Sequence, residues 1–509
     1  YKVKEIILGP PGTGKTTKLL ELVNEYISNG IEPMDIGYFS FTKKAATEAK
    51  TRAIEKFKTY DEADFPYFRT LHSLAFGLLR LKKQQVMQTA DYKDFGIKCG
   101  IPLNIKKASS NDEDGTFTSD NEYLQIIEKA RALNMNVLDL YDQHEHHIDI
   151  ERNSLYLIDR ELKRYKKEKG LLDYGDMLQR FVESDLAPRF AVLFIDEAQD
   201  LSPLQWKLVR SLWERSDYTY LAGDDDQAIF KWAGADVDYF YGLREEVDTI
   251  TVLDQSYRIP GGPIHKLAND IISRVNTRFE KNYKPRKQIG TLDKYLDVEQ
   301  LDMSEGEWLV LASTNYCLDD IKRHCEFKGW YYSNRGRNAI PSDLLMAIQN
   351  WEQWRQGNIE LNAGQIKNIY SYLGDSVMRG YKKGKTLKDE LIYDIETCIA
   401  DHGLISKDVW YNAFKKLDGQ REIYIRNMLA NKEKISKRPR ITMSTIHGAK
   451  GGECDNVLLL QDISYAAVIQ HDRNPDELHR LFYVGVTRTK EKLHILEPKD
   501  ARRAYRLPV

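Results

Sequence analysis

A glycine-rich stretch near the start of the chain has the residue types and the spacing of a phosphate-binding loop. Residues 9–16 read Gly-Pro-Pro-Gly-Thr-Gly-Lys-Thr, directly after the apolar run 3–8 and before a stretch of helical periodicity at 19–27. Glycines allow backbone N–H groups to curl around phosphate oxygens, and a helix N-terminus adds partial positive charge. The pattern predicts that Lys15 contacts the β- and γ-phosphates of a nucleotide and that Thr16 ligates Mg²⁺. The predicted nucleotide-binding residues of this stretch are Gly9, Pro10, Gly12, Thr13, Gly14, Lys15, Thr16 and Thr17.

Two adjacent acidic residues, Asp196 and Glu197, follow a second apolar run at 190–195. In a chain that already has a phosphate-binding loop, an acid at the carboxyl end of a strand suits the second Mg²⁺ ligand, and we assign Asp196 to that role. Glu197 would orient and deprotonate the attacking water. Together with Lys15 and Thr16, this pair predicts an enzyme that hydrolyses ATP with Mg²⁺.

The elements that must position these residues alternate between strands and helices. Further apolar runs of strand length occur at 218–222, 308–312, 457–460 and 493–496, and stretches that look helical separate most of them. This alternation predicts an α/β fold with two parallel, doubly wound sheets. A chain of 509 residues also exceeds what one hydrophobic core organises, so we expect two to four domains.

Two stretches break the alternation. Residues 86–165 contain a polar, acidic loop at 109–120 and then a helical pattern that Gly170 ends, and residues 336–435 are polar and rich in helical pattern. We interpret both as insertions into the α/β domains.

The overall composition predicts a soluble protein without a membrane role. Hydrophobic residues make up 42% and charged residues 30%, and no apolar run approaches the roughly 20 residues that span a bilayer. The five cysteines lack paired metal-type spacing, and the histidines at 144–147 lack a matching ligand cluster, so we expect reduced thiols and no structural metal. We expect a cytoplasmic protein.

Additional segments resemble motifs of the UvrD/Rep-like superfamily 1 DNA helicases, in the family's order along most of the chain. These segments are 41–46, 70–73, 173–176, 196–200, 223–232, 255–258, 445–453 and 483–490. The resemblance implies two RecA-like P-loop domains with parallel sheets, each with an inserted, mainly helical subdomain. The implied domains are 1–85 with 166–255 (1A), 86–165 (1B), 256–335 with 436–509 (2A) and 336–435 (2B).

The resemblance also assigns roles at the nucleotide. By position, Gln227 would sense the γ-phosphate and Tyr257 would stack on the adenine. Arg258 and Arg488 would reach the γ-phosphate, where negative charge spreads in the transition state, and Glu453 would contact the ribose.

On the DNA side, the resemblance implies that Phe230 and Trp232 present aromatic faces to bases. Stacking accepts any base, as a motor that ignores sequence requires. Thr42, His72 and Thr445 would lie near the DNA backbone. The alternative for Phe230 and Trp232 is a role as core aromatics. The implied partners are single-stranded DNA and junctions of single- and double-stranded DNA.

The activity implied is ATP-dependent, 3′→5′ translocation on single-stranded DNA with unwinding of duplexes. Two alternatives stay open: a DNA-stimulated ATPase switch or nucleoprotein remodeller without processive unwinding, and an RNA helicase. Only eight residues precede Gly9, so we expect no upstream glutamine motif and weak discrimination among purine nucleotides. Thr17 stands where many relatives carry arginine, and the compact insertions suit a phage or mobile-element enzyme.

Overall fold

A computed structural model gives the fold of the chain. It describes residues 3–41, 43–101, 105–107, 117–119, 121–143, 150–379, 385–435 and 438–509. Thr42 and the histidines at 144–147 lie outside the described residues. By its packing the chain divides into two compact units. Unit 1 is Tyr1–Gly261, Ala268–Gln288 and His471–Thr487, and unit 2 is Gly262–Leu267, Ile289–Gln470 and Arg488–Val509.

The strands, in chain order, are β1 (Val3–Leu8), β2 (Ile36–Ser40), β3 (Phe68–Thr70), β4 (Ile105–Lys107), β5 (Phe117–Ser119), β6 (Val192–Ile195), β7 (Tyr218–Gly223), β8 (Thr249–Val252), β9 (Gln255–Gly261), β10 (Lys284–Ile289), β11 (Thr291–Tyr295), β12 (Trp308–Ala312), β13 (Tyr332–Asn334), β14 (Arg337–Asn338), β15 (Leu361–Asn362), β16 (Ile392–Tyr393), β17 (Ile441–Thr445), β18 (Cys454–Leu460) and β19 (Thr489–Leu496).

The α-helices are α1 (Lys15–Ser28), α2 (Lys43–Lys56), α3 (Leu71–Leu78), α4 (Thr89–Cys99), α5 (Glu122–Ala132), α6 (Val137–Gln143), α7 (Arg152–Lys169), α8 (Tyr174–Glu183), α9 (Pro203–Trp213), α10 (Val237–Gly242), α11 (Pro263–Ile272), α12 (Asp319–Lys328), α13 (Ser342–Arg355), α14 (Ala363–Tyr372), α15 (Ile395–Asp401), α16 (Trp410–Ala413), α17 (Gly419–Ala430), α18 (Tyr465–Arg473) and α19 (Pro475–Val486).

Unit 1 is built on a six-stranded parallel sheet in the order β3-β2-β6-β7-β1-β8. Its strands are largely buried because helices cover both faces, so they consist of nearly continuous apolar runs. In a parallel sheet the carboxyl ends of all strands meet at one edge. The ends of β1, β6 and β7 therefore bring the phosphate-binding loop, Asp196 with Glu197, and the turn after Gly223 to that edge.

Unit 2 is built on a seven-stranded sheet in the order β11-β19-β18-β12-β17-β13-β14. Its pairs are parallel except for the β13–β14 hairpin. The predicted α/β class with two parallel sheets is confirmed. Among the described residues, no helix combines the length and the apolar character that crossing a bilayer would require.

The two insertions pack in different ways. Buried residues between Met87 and Leu171 form a separate hydrophobic core. Helix α7 contributes to this core and ends at Gly170, as the sequence predicted. Gly170 has a left-handed backbone. The 336–435 stretch instead shares one core with the second sheet, in which Trp351 and Trp354 lie fully buried beside sheet residues such as Val310. The second insertion is therefore not an independently cored subdomain in this unit.

Among the strands of the two large sheets, the apolar runs did not predict β2, β3, β8, β11, β13, β14 and β17, and a loop was expected over β5. Runs of two to five residues such as Phe68–Thr70 are too short to show a period. Residues 256–261, 268–288 and 471–487 pack with unit 1, although they were expected in domain 2A. The division into 1A, 1B, 2A and 2B stays a prediction.

We predict that Trp354→Ala destabilises unit 2 by about 3–5 kcal/mol, the usual loss for a buried aromatic ring. The Trp354 indole N–H also donates to the carbonyl oxygen of Tyr393 at 3.0 Å. Met346 lies on the same helix but is 56% exposed, so Met346→Ala should shift stability by less than about 0.5 kcal/mol. Urea denaturation of both variants measures the difference, and equal midpoints would contradict this account of the core.

Candidate functional site

The phosphate-binding loop joins β1 to α1 and has the backbone that its glycines allow. Gly12 and Gly14 have φ angles of 72° and 78°, in the left-handed region that other residues rarely adopt. A Cβ at Gly12 would come within 2.3 Å of the Arg258 Cβ. The N–H of Gly9 donates to the Gly223 carbonyl at 3.0 Å, which fixes the start of the loop against the end of β7.

Lys15 lies between the two predicted acidic residues. Its Nζ is 2.5 Å from Glu197 Oε1 and 3.3 Å from Asp196 Oδ1. Burial alone would lower the pKa of Lys15, but the carboxylates of Glu197 and Asp196 raise it overall. Burial raises the pKa of Asp196, although Lys15 opposes the shift. The Tyr38 hydroxyl, which the sequence analysis did not select, donates to Asp196 Oδ2 at 3.2 Å.

Two features fix the position of the Glu197 carboxylate: an unusual backbone conformation and a hydrogen bond from the buried Gln199 amide. Its φ of 55° and ψ of 40° are left-handed, a conformation that costs a non-glycine residue about 1–3 kcal/mol and that surrounding contacts must maintain. The Gln199 amide donates to Glu197 Oε2 at 2.6 Å, and its own Oε1 accepts from the Asp224 N–H at 3.0 Å. A Cβ at Gly223 would lie 2.5 Å from that Oε1, so a larger residue there would displace the Gln199 amide from these hydrogen bonds.

The contacts of Gln199 continue to Gln227. The Gln227 amide donates to Asp224 Oδ2 at 2.7 Å, so hydrogen bonds lead from Glu197 through Gln199 and Asp224 to Gln227. The sequence analysis identified both ends of this path but not Gln199. Its only signal in the sequence was a position inside the matching segment 196–200.

Strand β9 brings the next two predicted residues to the phosphate-binding loop. The Tyr257 N–H donates to the Gly12 carbonyl at 2.7 Å, and the Ser256 hydroxyl donates to the Pro11 carbonyl at 2.8 Å. The Tyr257 side chain is 72% exposed, which leaves the phenol accessible to a ligand. Arg258 lies against Gly12. Both residues therefore belong to the same unit as Lys15.

Three other predicted residues lie in unit 2. The buried Arg488 donates through Nη1 to the Gly452 carbonyl at 3.2 Å. Glu453 Oε1 is 3.9 Å from Lys490 Nζ, and the Thr445 hydroxyl accepts from the Gly448 N–H at 3.1 Å. Their assignments to nucleotide and DNA stay predictions.

Aromatic side chains follow Gln227 at the surface of unit 1. The ring of Phe230 stacks on Phe41 with centroids 6.0 Å apart, and Trp232 lies 6.4 Å from Phe230. Trp232 is 54% exposed, which argues against the alternative of a core residue. Phe41 was not among the predicted DNA contacts, although it opens the matching segment 41–46. His72 packs edge-on against Tyr174, with centroids 5.5 Å apart.

The acidic segment 173–176 serves packing within unit 1. Asp173 caps α8 by accepting from the Asp176 N–H at 2.8 Å. Both carboxylates pair with Lys166, at 2.6 and 2.5 Å, and with Arg131. Burial would raise the pKa of Asp173, but Arg131 and Lys166 lower it overall. These ion pairs attach the first insertion to α8.

Comparison with protein families gives two matches. The model of the UvrD/REP helicase N-terminal domain matches residues 2–248, and that of the UvrD-like helicase C-terminal domain matches residues 406–499.

Similar curated proteins include three bacterial helicases. ATP-dependent DNA helicase Rep of Buchnera aphidicola subsp. Schizaphis graminum is 22% identical, over 72% of this chain and 56% of the relative. Rep of Buchnera aphidicola subsp. Acyrthosiphon pisum is 22% identical, over 96% of this chain and 91% of the relative. ATP-dependent DNA helicase PcrA of Bacillus subtilis is 25% identical, over 72% and 50%. The chain thus spans about half the length of two of these relatives and most of the third.

We predict that Lys15→Ala and Glu197→Gln both abolish nucleotide hydrolysis but differ in nucleotide binding. Lys15 carries positive charge to the phosphates in the ground state, so its removal should weaken binding as well. Glu197 acts on the attacking water, so its amide should still bind ATP. Phosphate release and calorimetric ATP titration measure the two effects.

Matched controls lie on the exposed face of α1. Lys18→Ala and Glu21→Gln remove the same groups from the same helix at positions 41% and 65% exposed, and both should hydrolyse ATP normally. Near wild-type hydrolysis by Glu197→Gln would show that another group acts as the base.

Proposed function

Because this chain belongs to the UvrD/Rep family of DNA helicases, we propose that it couples ATP hydrolysis to 3′→5′ movement along single-stranded DNA and separates duplexes at junctions. The proposal places its action in the cytoplasm of a bacterial or phage-infected cell, with its DNA substrate.

One observation carries the proposal: a hydrogen-bond path connects the candidate base Glu197 to Gln227, at the start of the segment that carries the aromatic side chains. Gln199 contacts the Glu197 carboxylate on one side and the Asp224 backbone on the other. Asp224 in turn holds Gln227, three residues before Phe230. We propose that a displacement of the aromatic segment reaches the candidate base through these contacts, so that hydrolysis depends on DNA.

The chemistry follows from the residues around Lys15. A water oxygen attacks the γ-phosphorus, the bond to the β-phosphate oxygen breaks, ADP leaves, and Glu197 accepts the water proton. Lys15 and Arg258 stabilise the charge that spreads over the γ-phosphoryl oxygens. A hydroxyl and a buried carboxylate are donors that suit Mg²⁺, so Thr16 and Asp196 would hold the ion, which neutralises phosphate charge.

The family resemblance extends this proposal to further residues. Arg488 and Glu453 of unit 2 act on the γ-phosphate and the ribose, and Thr42, His72 and Thr445 act on the DNA backbone. Phe230 and Trp232 stack on bases, which gives a grip that does not depend on sequence.

Strand displacement tests the proposal directly. With ATP, the protein should release the labelled strand of a duplex with a 3′ single-stranded tail but not of one with a 5′ tail or blunt ends. Glu197→Gln should release none. A DNA-stimulated ATPase switch would hydrolyse ATP on the 3′-tailed substrate and release no strand. Stronger stimulation of ATP hydrolysis by an RNA oligonucleotide than by the matched DNA would instead favour an RNA helicase.

A second prediction concerns the exposed indole. Trp232→Ala should cost about 1–3 kcal/mol of DNA affinity, the range for one base–aromatic stack. The DNA concentration for half-maximal ATPase stimulation should therefore rise roughly five- to 160-fold. Hydrolysis without DNA should change little, because Lys15 and Glu197 are untouched.

The matched control for this prediction is Tyr218→Ala. Tyr218 is also partly exposed, but it begins β7 and so lies at the opposite edge of the same sheet. Its replacement should leave the half-maximal DNA concentration unchanged. If Trp232→Ala is stably folded and its half-maximal DNA concentration is unchanged, Trp232 does not contact DNA.

A further inference from the structure

Three consecutive aspartates, Asp224, Asp225 and Asp226, are buried at the end of β7. Burying carboxylates is costly unless cations and hydrogen bonds compensate them. Here the compensation comes from residues 276–283, a segment outside every motif that the sequence analysis identified. We call it the 276–283 segment.

Lys281 lies at the centre of the three carboxylates. Its Nζ is 3.4 Å from Asp224 Oδ1 and 3.1 Å from Asp226 Oδ2, and it bonds directly to Asp225 Oδ1. Arg278 donates to both oxygens of Asp226, at 2.8 and 2.6 Å. Because the Lys281 ammonium occupies the position that a metal ion would take between these acids, we do not interpret the cluster as a metal site.

The same segment is attached to a second element of unit 1, helix α19. The backbone and side-chain N–H groups of Asn276 both donate to Asp476 Oδ1 at 3.0 Å. The hydroxyls of Tyr283 and Tyr483 are 3.2 Å apart. The segment is thus anchored at both ends, and Lys281 projects from a fixed backbone.

Asp224 connects Lys281 to the candidate γ-phosphate sensor. One of its oxygens faces Lys281, and the other accepts from the Gln227 amide at 2.7 Å. The Lys281 ammonium therefore orients the Asp224 carboxylate, and that carboxylate in turn orients the Gln227 amide. Burial, and then the neighbouring Asp226, raise the pKa of Asp225 to about 6, although Lys281 opposes the shift. Without Lys281 the three acids would repel one another, and this loop would rearrange.

We propose that Lys281 is a positioning residue for ATP hydrolysis, which holds the Asp224 loop so that Gln227 is placed for the γ-phosphate and the following aromatics are placed for DNA. The proposal rests on the proposed function, because it assumes that ATP turnover at Lys15 and Glu197 depends on DNA.

Four variants test it. Lys281→Met removes the charge and keeps the length of the side chain, and Lys281→Arg keeps the charge. The double variant Lys281→Met with Asp225→Asn removes one cation and one anion, so the net charge of the buried cluster is unchanged. Lys287→Met is the matched control, because Lys287 is an exposed lysine six residues further along. For each we would measure kcat and KM for ATP at saturating DNA, the half-maximal DNA concentration, and the melting temperature.

Lys281→Met should lower kcat about 10- to 100-fold, since misplacing a catalytic group by about 1 Å has effects of that size. KM for ATP should change less than about threefold, because the phosphate-binding loop is untouched. The half-maximal DNA concentration should rise, Lys281→Arg should recover part of kcat, and Lys287→Met should match wild type. The double variant should recover the melting temperature but not kcat.

A purely structural role gives a different pattern. Lys281→Met would then melt at a lower temperature with wild-type kcat per folded molecule, or the double variant would restore both stability and kcat. Either result overturns the proposal. If Lys281→Met does not fold, the double variant alone decides. Failure of the proposed function is distinguishable, because wild-type protein would then show no DNA-stimulated turnover or no strand release.

Discussion

Compensation of buried negative charge at one edge of a parallel sheet is the constraint on which the arrangement of unit 1 depends. Buried aspartates follow the carboxyl ends of β6 and β7, and each needs a cation or a hydrogen-bond donor from elsewhere in the chain. Asp196 forms an ion pair with Lys15 and accepts a hydrogen bond from Tyr38. Asp226 forms ion pairs with Arg278 and Lys281. Because these cations and donors are distant from the aspartates in sequence, their contacts connect the phosphate-binding loop, the sheet and later segments of the chain.

This constraint also explains how hydrolysis and DNA binding can be coupled over a short distance. Gln199 is both donor and acceptor, and it bridges the ends of two neighbouring strands. Gly223 is needed because a side chain there would displace the Gln199 amide. The left-handed Glu197 donates its backbone N–H to Asp196 Oδ1 at 2.9 Å. The sheet edge thus holds the candidate base and the Asp224 loop in one network of hydrogen bonds.

The two insertions differ in how they depend on the sheets. The first has its own core and is joined to α8 through ion pairs of Arg131 and Lys166 with Asp173 and Asp176. The second shares the core of the second sheet, where Trp354 packs among residues of both. Losing packing in the second insertion should therefore weaken the sheet itself, whereas changes in the first insertion act mainly on its own core and its charged contacts.

The sequence by itself determined the phosphate-binding loop, the acids at 196–197, the α/β class and, through the order of its motifs, the family. The phosphate-binding loop and the acids are local, because a glycine spacing or an apolar run before an acid is complete within about ten residues, and the fold class and the family follow from the order of such segments along the chain. The tertiary structure alone decided the short strand β3, the contact of Phe41 with Phe230, the bridge through Gln199 and the partners of the aspartates. Lys281 lies 55 residues or more from Asp224, Asp225 and Asp226, and no periodicity marks it. Only the packing of the chain shows which buried charges lie together, because compensation depends on distance in space and not on spacing along the sequence.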